Sequence, residues 1–121
     1  MGGDDFARLE GVELRVATED GSAGRRGLVT ELLEEGLEEC TGASPSPAHV
    51  YACGPTAMMD QAARLARQDA VSCFVSLENT MACGFGVCLG CAVPGLGPDF
   101  ALVCRDGPVF EARSVDWERL P

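Results

Sequence analysis

Between Gly11 and Thr18 the apolar residues Val12, Leu14 and Val16 alternate with Glu13 and Arg15, the period-2 pattern of a half-buried strand. Glu19-Asp20-Gly21-Ser22-Ala23-Gly24 is a turn-forming run. Leu28, Val29, Leu32, Leu33 and Leu37 then recur near helical spacing, which predicts an amphipathic helix. Its other face holds Glu31, Glu34, Glu35, Glu38 and Glu39 and reads as a solvated face rather than a docking surface. The stretch from Thr41 to Pro47, with Gly42, Pro45 and Pro47, ends the helix. His49-Val50-Tyr51-Ala52-Cys53, bounded by Gly54-Pro55, predicts a buried strand closing in a tight turn. Thr56 is the candidate N-cap of a second helix reaching about Asp69, with Met58, Ala62, Leu65 and Ala66 on one face. A third strand is expected from Val71 to Leu77.

Strand, helix, strand, helix, strand in this order implies an α/β fold with a parallel sheet and right-handed crossovers. After Glu78 the texture changes to Gly and Cys, and a domain boundary is expected there, dividing residues 1–78 from 79–121. The 43 residues beyond it are too few to hold together on apolar burial alone, so a metal centre or disulfides should staple them.

Charge narrows the chemistry. The 121 residues carry a net charge of -10, which disfavours nucleic acid and anionic membrane surfaces as partners. All nine cations are Arg, so a lysine Schiff base and a P-loop lysine are both excluded. The uncharged run Asn79 to Pro98 holds five Gly, two Pro and three Cys, unlike any bilayer helix. The first residues, Met1-Gly2-Gly3-Asp4-Asp5, lack the basic and apolar stretches of a secretory signal, so a cytoplasmic location is expected. Seven cysteines are an odd number for a disulfide framework, and in a reducing compartment they would serve as thiols or thiolate ligands.

Their spacing is informative. Cys83, Cys88, Cys91 and Cys104 give C-x4-C-x2-C-x12-C, whose first three positions match the plant-type spacing for a 2Fe-2S cluster. A loop of this kind brings three thiolates around two irons while a distant fourth closes the site, and Gly84, Gly86 and Gly90 let backbone N–H groups turn toward the sulfurs. The competing assignment is structural zinc, which favours paired C-x2-C knuckles, whereas here only Cys88 and Cys91 form one. Cys40 and Cys73 fall outside any ligand spacing and read as packing residues. Upstream, Cys53-Gly54-Pro55 follows a strand at the sheet edge where α/β folds bind ligands, with a helix N-terminus behind it. Thr18, Asp20 and Ser22 lie in the loop after the first strand, at the same edge. Two readings stand for them, contact with a dinucleotide or a plain turn. His49, the single histidine, reads as structural.

Met81 to Cys91, with Val103-Cys104-Arg105-Asp106-Gly107-Pro108-Val109-Phe110, closely resembles the cluster segment of the electron-transfer subunit of bacterial NAD-dependent dihydroorotate dehydrogenase. Ala17 to Ser22 and Tyr51 to Met59 look like the second half of that family's nucleotide-binding domain, within the ferredoxin-reductase superfamily. The small subunit of NADH-dependent ferredoxin:NADP oxidoreductases is similar too, including Val115-Asp116-Trp117, but typically has Asp as its first cluster ligand, so Cys83 favours the dihydroorotate family. The resemblance implies a truncated nucleotide-binding half-domain over residues 1–78 and a small 2Fe-2S domain of short strands and loops over 79–121. It implies Cys83, Cys88, Cys91 and Cys104 as cluster ligands and Cys53 near the meeting point of nicotinamide and flavin, with Gly54, Pro55, Thr18 and Asp20 as the further cofactor-binding candidates. It implies electron transfer in pyrimidine biosynthesis between a partner FMN-containing catalytic subunit and FAD and NAD. The family's Arg-x-Tyr-Ser flavin motif and Gly-rich phosphate loop do not occur here, so the chain by itself should bind FAD negligibly. It should self-associate or pair with whatever carries the missing N-terminal half. A zinc-stabilised interaction module without redox chemistry is the alternative from another class.

Overall fold

The computed structural model describes residues 10–43, 48–95 and 99–120. The chain forms two compact units, Met1–Gly36 and Leu37–Pro121.

In the first unit, strands β1 (Ala17–Thr18) and β2 (Arg25–Arg26) pair in parallel, Ala17 with Arg25 and Thr18 with Arg26. The eight-residue strand anticipated from the alternation is thus reduced to its last two residues. Val12, Leu14 and Val16 remain 48%, 43% and 41% exposed, so no apolar face is buried to hold an extended segment in register. What orders the region is its turn. The Arg25 N–H donates to the Val16 carbonyl at 2.9 Å, and the Gly21 and Gly27 N–H groups donate to the Thr18 carbonyl at 3.1 and 3.0 Å. Gly24 is obligatory here, since its φ is +65° and a Cβ would stand 2.1 Å from the Val16 carbonyl oxygen. Helix α1 (Val29–Ala43) begins in this unit. Its acidic face is partly neutralised, because the Arg25 guanidinium pairs with Glu31 at 3.7 Å and with Glu35.

The second unit is built on a crossover. Strand β3 (His49–Cys53) runs parallel to β4 (Ser72–Ser76), with helix α2 (Thr56–Gln68) between them in sequence. The alternation in Ser72-Cys73-Phe74-Val75-Ser76 turns Cys73 and Val75 inward, and Leu77 continues the inward series. They are buried with Val50 and the α2 residues Met59, Ala62, Ala63, Leu65 and Ala66, in a helix that packs on both strands. Met59, not Met58, is the buried methionine. Thr56 is the first residue inside the helix rather than its cap. Pro55 occupies the N-cap without a side-chain bond, and its carbonyl accepts the Met59 N–H at 3.1 Å.

Strand β3 is buried on one side only. His49, Tyr51 and Cys53 are exposed, and the Tyr51 ring stacks on Phe74 with centroids 5.3 Å apart. Cys40 is likewise exposed and not a packing residue, whereas Cys73 is buried.

Beyond Glu78 the chain makes short elements. Strands β5 (Ala92–Pro94) and β6 (Phe100–Leu102) form an antiparallel pair, followed by the single turn α3 (Val103–Asp106). Strand β7 (Val109–Glu111) returns to pair antiparallel with β4, giving the order β3-β4-β7. A 3-10 turn at Ala112–Ser114 then seats Ala112 in the core, where Val93, Leu102, Val103 and Val115 are also buried. The small C-terminal segment therefore shares a sheet with the crossover strands.

Candidate functional site

Strands β4 and β5 are joined by a long loop that carries Cys83, Cys88 and Cys91, while Cys104 lies in α3. Around Cys83 the backbone curls so that several N–H groups face its sulfur. The Cys88 N–H lies 3.5 Å from the Cys83 Sγ, and those of Phe85 and Val87 also donate. These donors, Cys88 first, draw the Cys83 pKa down to about 6, favouring the thiolate that a metal requires. The Gly90 N–H faces the Cys88 Sγ at 3.5 Å. The Gly86 N–H points to Cys104, and Gly86 itself has φ +86°, with Arg105 so close that a Cβ would meet its Cδ at 3.2 Å. Glycine thus serves conformation and approach at once.

The four cysteines make contacts of two kinds. At the outer end of the loop the Cys83 sulfur accepts from the Cys88 backbone N–H. Cys91 and Cys104 share a thiol–thiol hydrogen bond of 3.2 Å at its base, where the Val103 N–H donates to the Cys91 carbonyl and anchors the two strands of chain. The Cys91 pKa is lowered, first by the Cys104 backbone N–H and then by the Cys104 thiol, and that of Cys104 is raised, first by the Cys91 thiol and then by burial. Among the described residues no three His, Cys, Asp or Glu side chains converge on one point as a single-ion site would need. Four cysteine thiols on one loop and the turn beside it match the donor set of a 2Fe-2S centre, and the N–H groups suit its anionic sulfurs.

Two supporting residues carry no cysteine signal and escaped the sequence reading. Asn79 spans the mouth of the loop, its Nδ2 donating to the Ala92 carbonyl at 3.2 Å and its Oδ1 accepting from the Thr80 N–H at 2.8 Å. Asp106 reaches back to the Leu102 N–H at 2.8 Å, one residue later than a capping box, and holds the turn bearing Cys104. Arg105 and then the Leu102 N–H hold its carboxyl below the ordinary range. An Asp two residues after a cysteine is the only hint the sequence offers for the latter.

The other candidates fall in separate places. Cys53 is exposed at the end of β3, with Gly54 and Pro55 leading into α2. In the first unit Thr18 and Asp20 are occupied by their own turn. The Thr18 Oγ1 donates to the Ala23 carbonyl at 2.9 Å and accepts from the Ala23 N–H at 3.1 Å, and the Asp20 Oδ1 accepts from the Ser22 N–H at 2.9 Å. His49 is exposed on β3, its ring tilted against Phe74 at 6.2 Å.

Residues 78–116 match the family model of the iron-sulfur cluster binding domain of dihydroorotate dehydrogenase B, and residues 5–64 match that of the oxidoreductase NAD-binding domain. The class is therefore an iron-sulfur segment joined to an NAD-binding one. The chain is 49% identical over 114 residues to the probable dihydroorotate dehydrogenase B (NAD(+)) electron transfer subunit of Methanopyrus kandleri, covering 93% of itself and 39% of that protein. It is 44% identical over 112 residues to the corresponding subunit of Caldanaerobacter subterraneus, covering 89% of itself and 42% of that relative. The solved structure of an NADH-dependent reduced ferredoxin-NADP oxidoreductase superposes with a TM-score of 0.71 at 34% identity, covering 88% of this chain and 36% of that one. The chain thus corresponds to the C-terminal NAD-binding and iron-sulfur-binding portion of dihydroorotate dehydrogenase B electron transfer subunits. It spans about two fifths of the length of these curated relatives.

Proposed function

We propose that this chain conducts electrons, one at a time, between an FMN-containing dihydroorotate dehydrogenase catalytic subunit and FAD and NAD, by way of a 2Fe-2S cluster on Cys83, Cys88, Cys91 and Cys104. The observation that carries this reading is the gathering of the four cysteines on one loop and its adjoining turn, with the Cys88 N–H on the Cys83 sulfur and the Cys91 thiol on that of Cys104. When bound, such a cluster supplies a carrier that splits an electron pair into single steps. The chain's own part is to hold four thiolates, aim the N–H groups of Phe85, Gly86, Val87, Cys88 and Gly90 at them, and seat the loop on β5 and α3. Zinc favours paired C-x2-C knuckles and fits less well a spacing in which only Cys88 and Cys91 form one.

The NAD side rests on Cys53, Gly54 and Pro55 at the strand end, with Thr18 and Asp20 shaping the loop that follows β1. Residues 1–78 and 79–121 serve as the two functional segments, and the work takes place in the cytoplasm. No helix among the described residues is long and apolar enough to cross a membrane. The exposed Tyr51 and Val109 support a sheet that pairs with a further copy or chain.

Anaerobically prepared protein should be red-brown, with about two irons per chain and a paramagnetic signal on one-electron reduction. Stoichiometric zinc in never-oxidised material, with no iron taken up on reconstitution, overturns the reading. A specific partner distinguishes it from the ferredoxin-NADP alternative: electrons should be accepted from a dihydroorotate-reduced FMN subunit and not from reduced ferredoxin.

A further inference from the structure

The strongly acidic chain places two arginines from different elements on one cleft that no acid lines. The cleft lies between the last turn of α2 and the 3-10 turn at Ala112–Ser114, and encloses about 420 Å³. Its floor is Ala63, Cys73 and Ala112, all buried, with Ala70 and Val71 beside them, and among the described residues Arg67 and Arg113 are its only charged ones. Most arginines of the described chain are neutralised within it: Arg64 by Asp60 at 2.8 Å, Arg105 by Asp106 at 2.9 Å and Arg119 by Asp116 at 3.7 Å. Arg113 pairs with Glu111 at 2.6 Å, a residue that lies outside the cleft lining. Arg67 has no ion pair or side-chain hydrogen bond to any described residue. The neighbouring cleft, which shares Ala63, Arg67 and Arg113, adds Arg64 and the acids Asp60, Asp116 and Glu118, so its arginines are matched by carboxylates there, whereas no described acid lines the alanine side.

From this we propose that the cleft binds the oxyanion head of a small organic anion, carboxylate or phosphate ester, between Arg67 and Arg113, with the ligand's short apolar body against Ala63, Cys73 and Ala112. The guanidinium fork suits both headgroups, and bonds made to ionised groups are the stronger kind. Small side chains on the floor leave room for a ring-sized body. The site lies in α2 and the 3-10 turn, neither of which contributes a cluster cysteine, so it stands or falls apart from the electron-transfer reading.

The test is calorimetric titration of the intact, cluster-loaded chain with benzoate and with phenyl phosphate, which share a ring and differ in the head. Saturable binding of either probe is expected, weakened about tenfold or more in Arg67→Gln and in Arg113→Gln, as loss of a charge-assisted bond implies. Arg67→Lys should retain an intermediate affinity, and Arg15→Gln, in the first unit, should leave binding unchanged. The tighter probe identifies the headgroup. If neither probe saturates, or if binding persists undiminished in Arg67→Gln or Arg113→Gln while the visible spectrum is native, the site does not exist.

Discussion

The sulfurs of Cys91 and Cys104 lie 3.2 Å apart although 13 positions separate the two residues in sequence. The contact is made by architecture rather than by local chain. Antiparallel pairing of β5 with β6 sets Ala92 opposite Leu102, and the residues just outside that pair are thereby carried to one place. Cys91 precedes β5, and Cys104 follows β6 within α3. Half of the thiol set is thus a property of a two-stranded ribbon, and the other half, Cys83 with Cys88, of a loop.

This division predicts how substitutions sort. Cys91→Ser or Cys104→Ser should abolish the visible chromophore and leave the chain beyond Glu78 sensitive to protease, because metal-ligand bonds supply much of what so small a segment needs to fold. Cys40→Ser should change neither property, Cys40 being exposed. Cys73→Ser should keep the chromophore but lower stability by about 1 to 3 kcal/mol, since a hydroxyl replaces a buried thiol. Absorption spectra with limited proteolysis on the four variants decide it, and a full cluster in Cys91→Ser refutes the ligand set.

Gly24→Ala should undo the first unit's turn. The left-handed backbone alone costs a non-glycine residue about 1 to 2 kcal/mol, and the 2.1 Å approach to the Val16 carbonyl forces the loop apart. Hydrogen exchange at the Arg25 and Gly27 amides, which bond to Val16 and Thr18, should accelerate at least about tenfold. Unchanged protection at both amides would show that the turn is held elsewhere.

Helices α1 and α2 and the β3-α2-β4 crossover were legible in the sequence because each has a local signature, helical periodicity or an apolar run ending in Gly-Pro, and the cysteine spacing marked the candidate loop. The first strand was not, since the alternation of Val12, Leu14 and Val16 states only that a strand could have two faces, and a buried partner must supply the second. Strand β2 consists of two exposed arginines, a composition no strand pattern would select, and is placed by the Arg25 N–H bond to Val16. The return of β7 to the edge of β4 is a long-range pairing across the whole cysteine loop. Among site residues, Asn79 was invisible because its role depends on a carbonyl 13 positions away.

Asp20 makes the same turn sensitive to acid. The Ser22 backbone N–H, followed by the Ser22 hydroxyl, holds the Asp20 carboxyl below the ordinary carboxylate range, outweighing a small opposing effect of burial. A carboxylate whose pKa is depressed in the folded state contributes stability that is present above its unfolded pKa of about 3.9 and is lost as pH falls through the lower folded value. The Ser22 amide resonance should therefore stay constant down to about pH 4 and shift only below it, in step with the Asp20 carboxyl carbon. A midpoint at or above the free aspartate value would show that the bond to Ser22 does not favour the ionised form.

Asn79 closes the loop that bears three of the four thiols, and the chemistry of its amide makes the role separable from bulk or burial. Its Nδ2 is the donor to the Ala92 carbonyl and its Oδ1 the acceptor for the Thr80 N–H. Asn79→Asp keeps size and the acceptor while removing the donor, and it leaves a carboxylate oxygen facing a carbonyl. Losing one such bond and leaving a half-buried acceptor unmatched costs about 1 to 3 kcal/mol, enough to raise the population of the opened loop by about 5- to 150-fold. Opening exposes the thiolates to competing ligands, so bleaching of the visible band by a strong iron chelator under argon should accelerate in Asn79→Asp and in Asn79→Ala. Asn79→Gln, which retains both functions on a longer stem, should fall between these and the native chain. Thermal unfolding followed at the β3-α2-β4 crossover supplies the control, since Asn79 is no part of it and its melting should be little changed. Equal bleaching rates in Asn79→Asp and the native chain would mean that the loop is closed by its thiols alone.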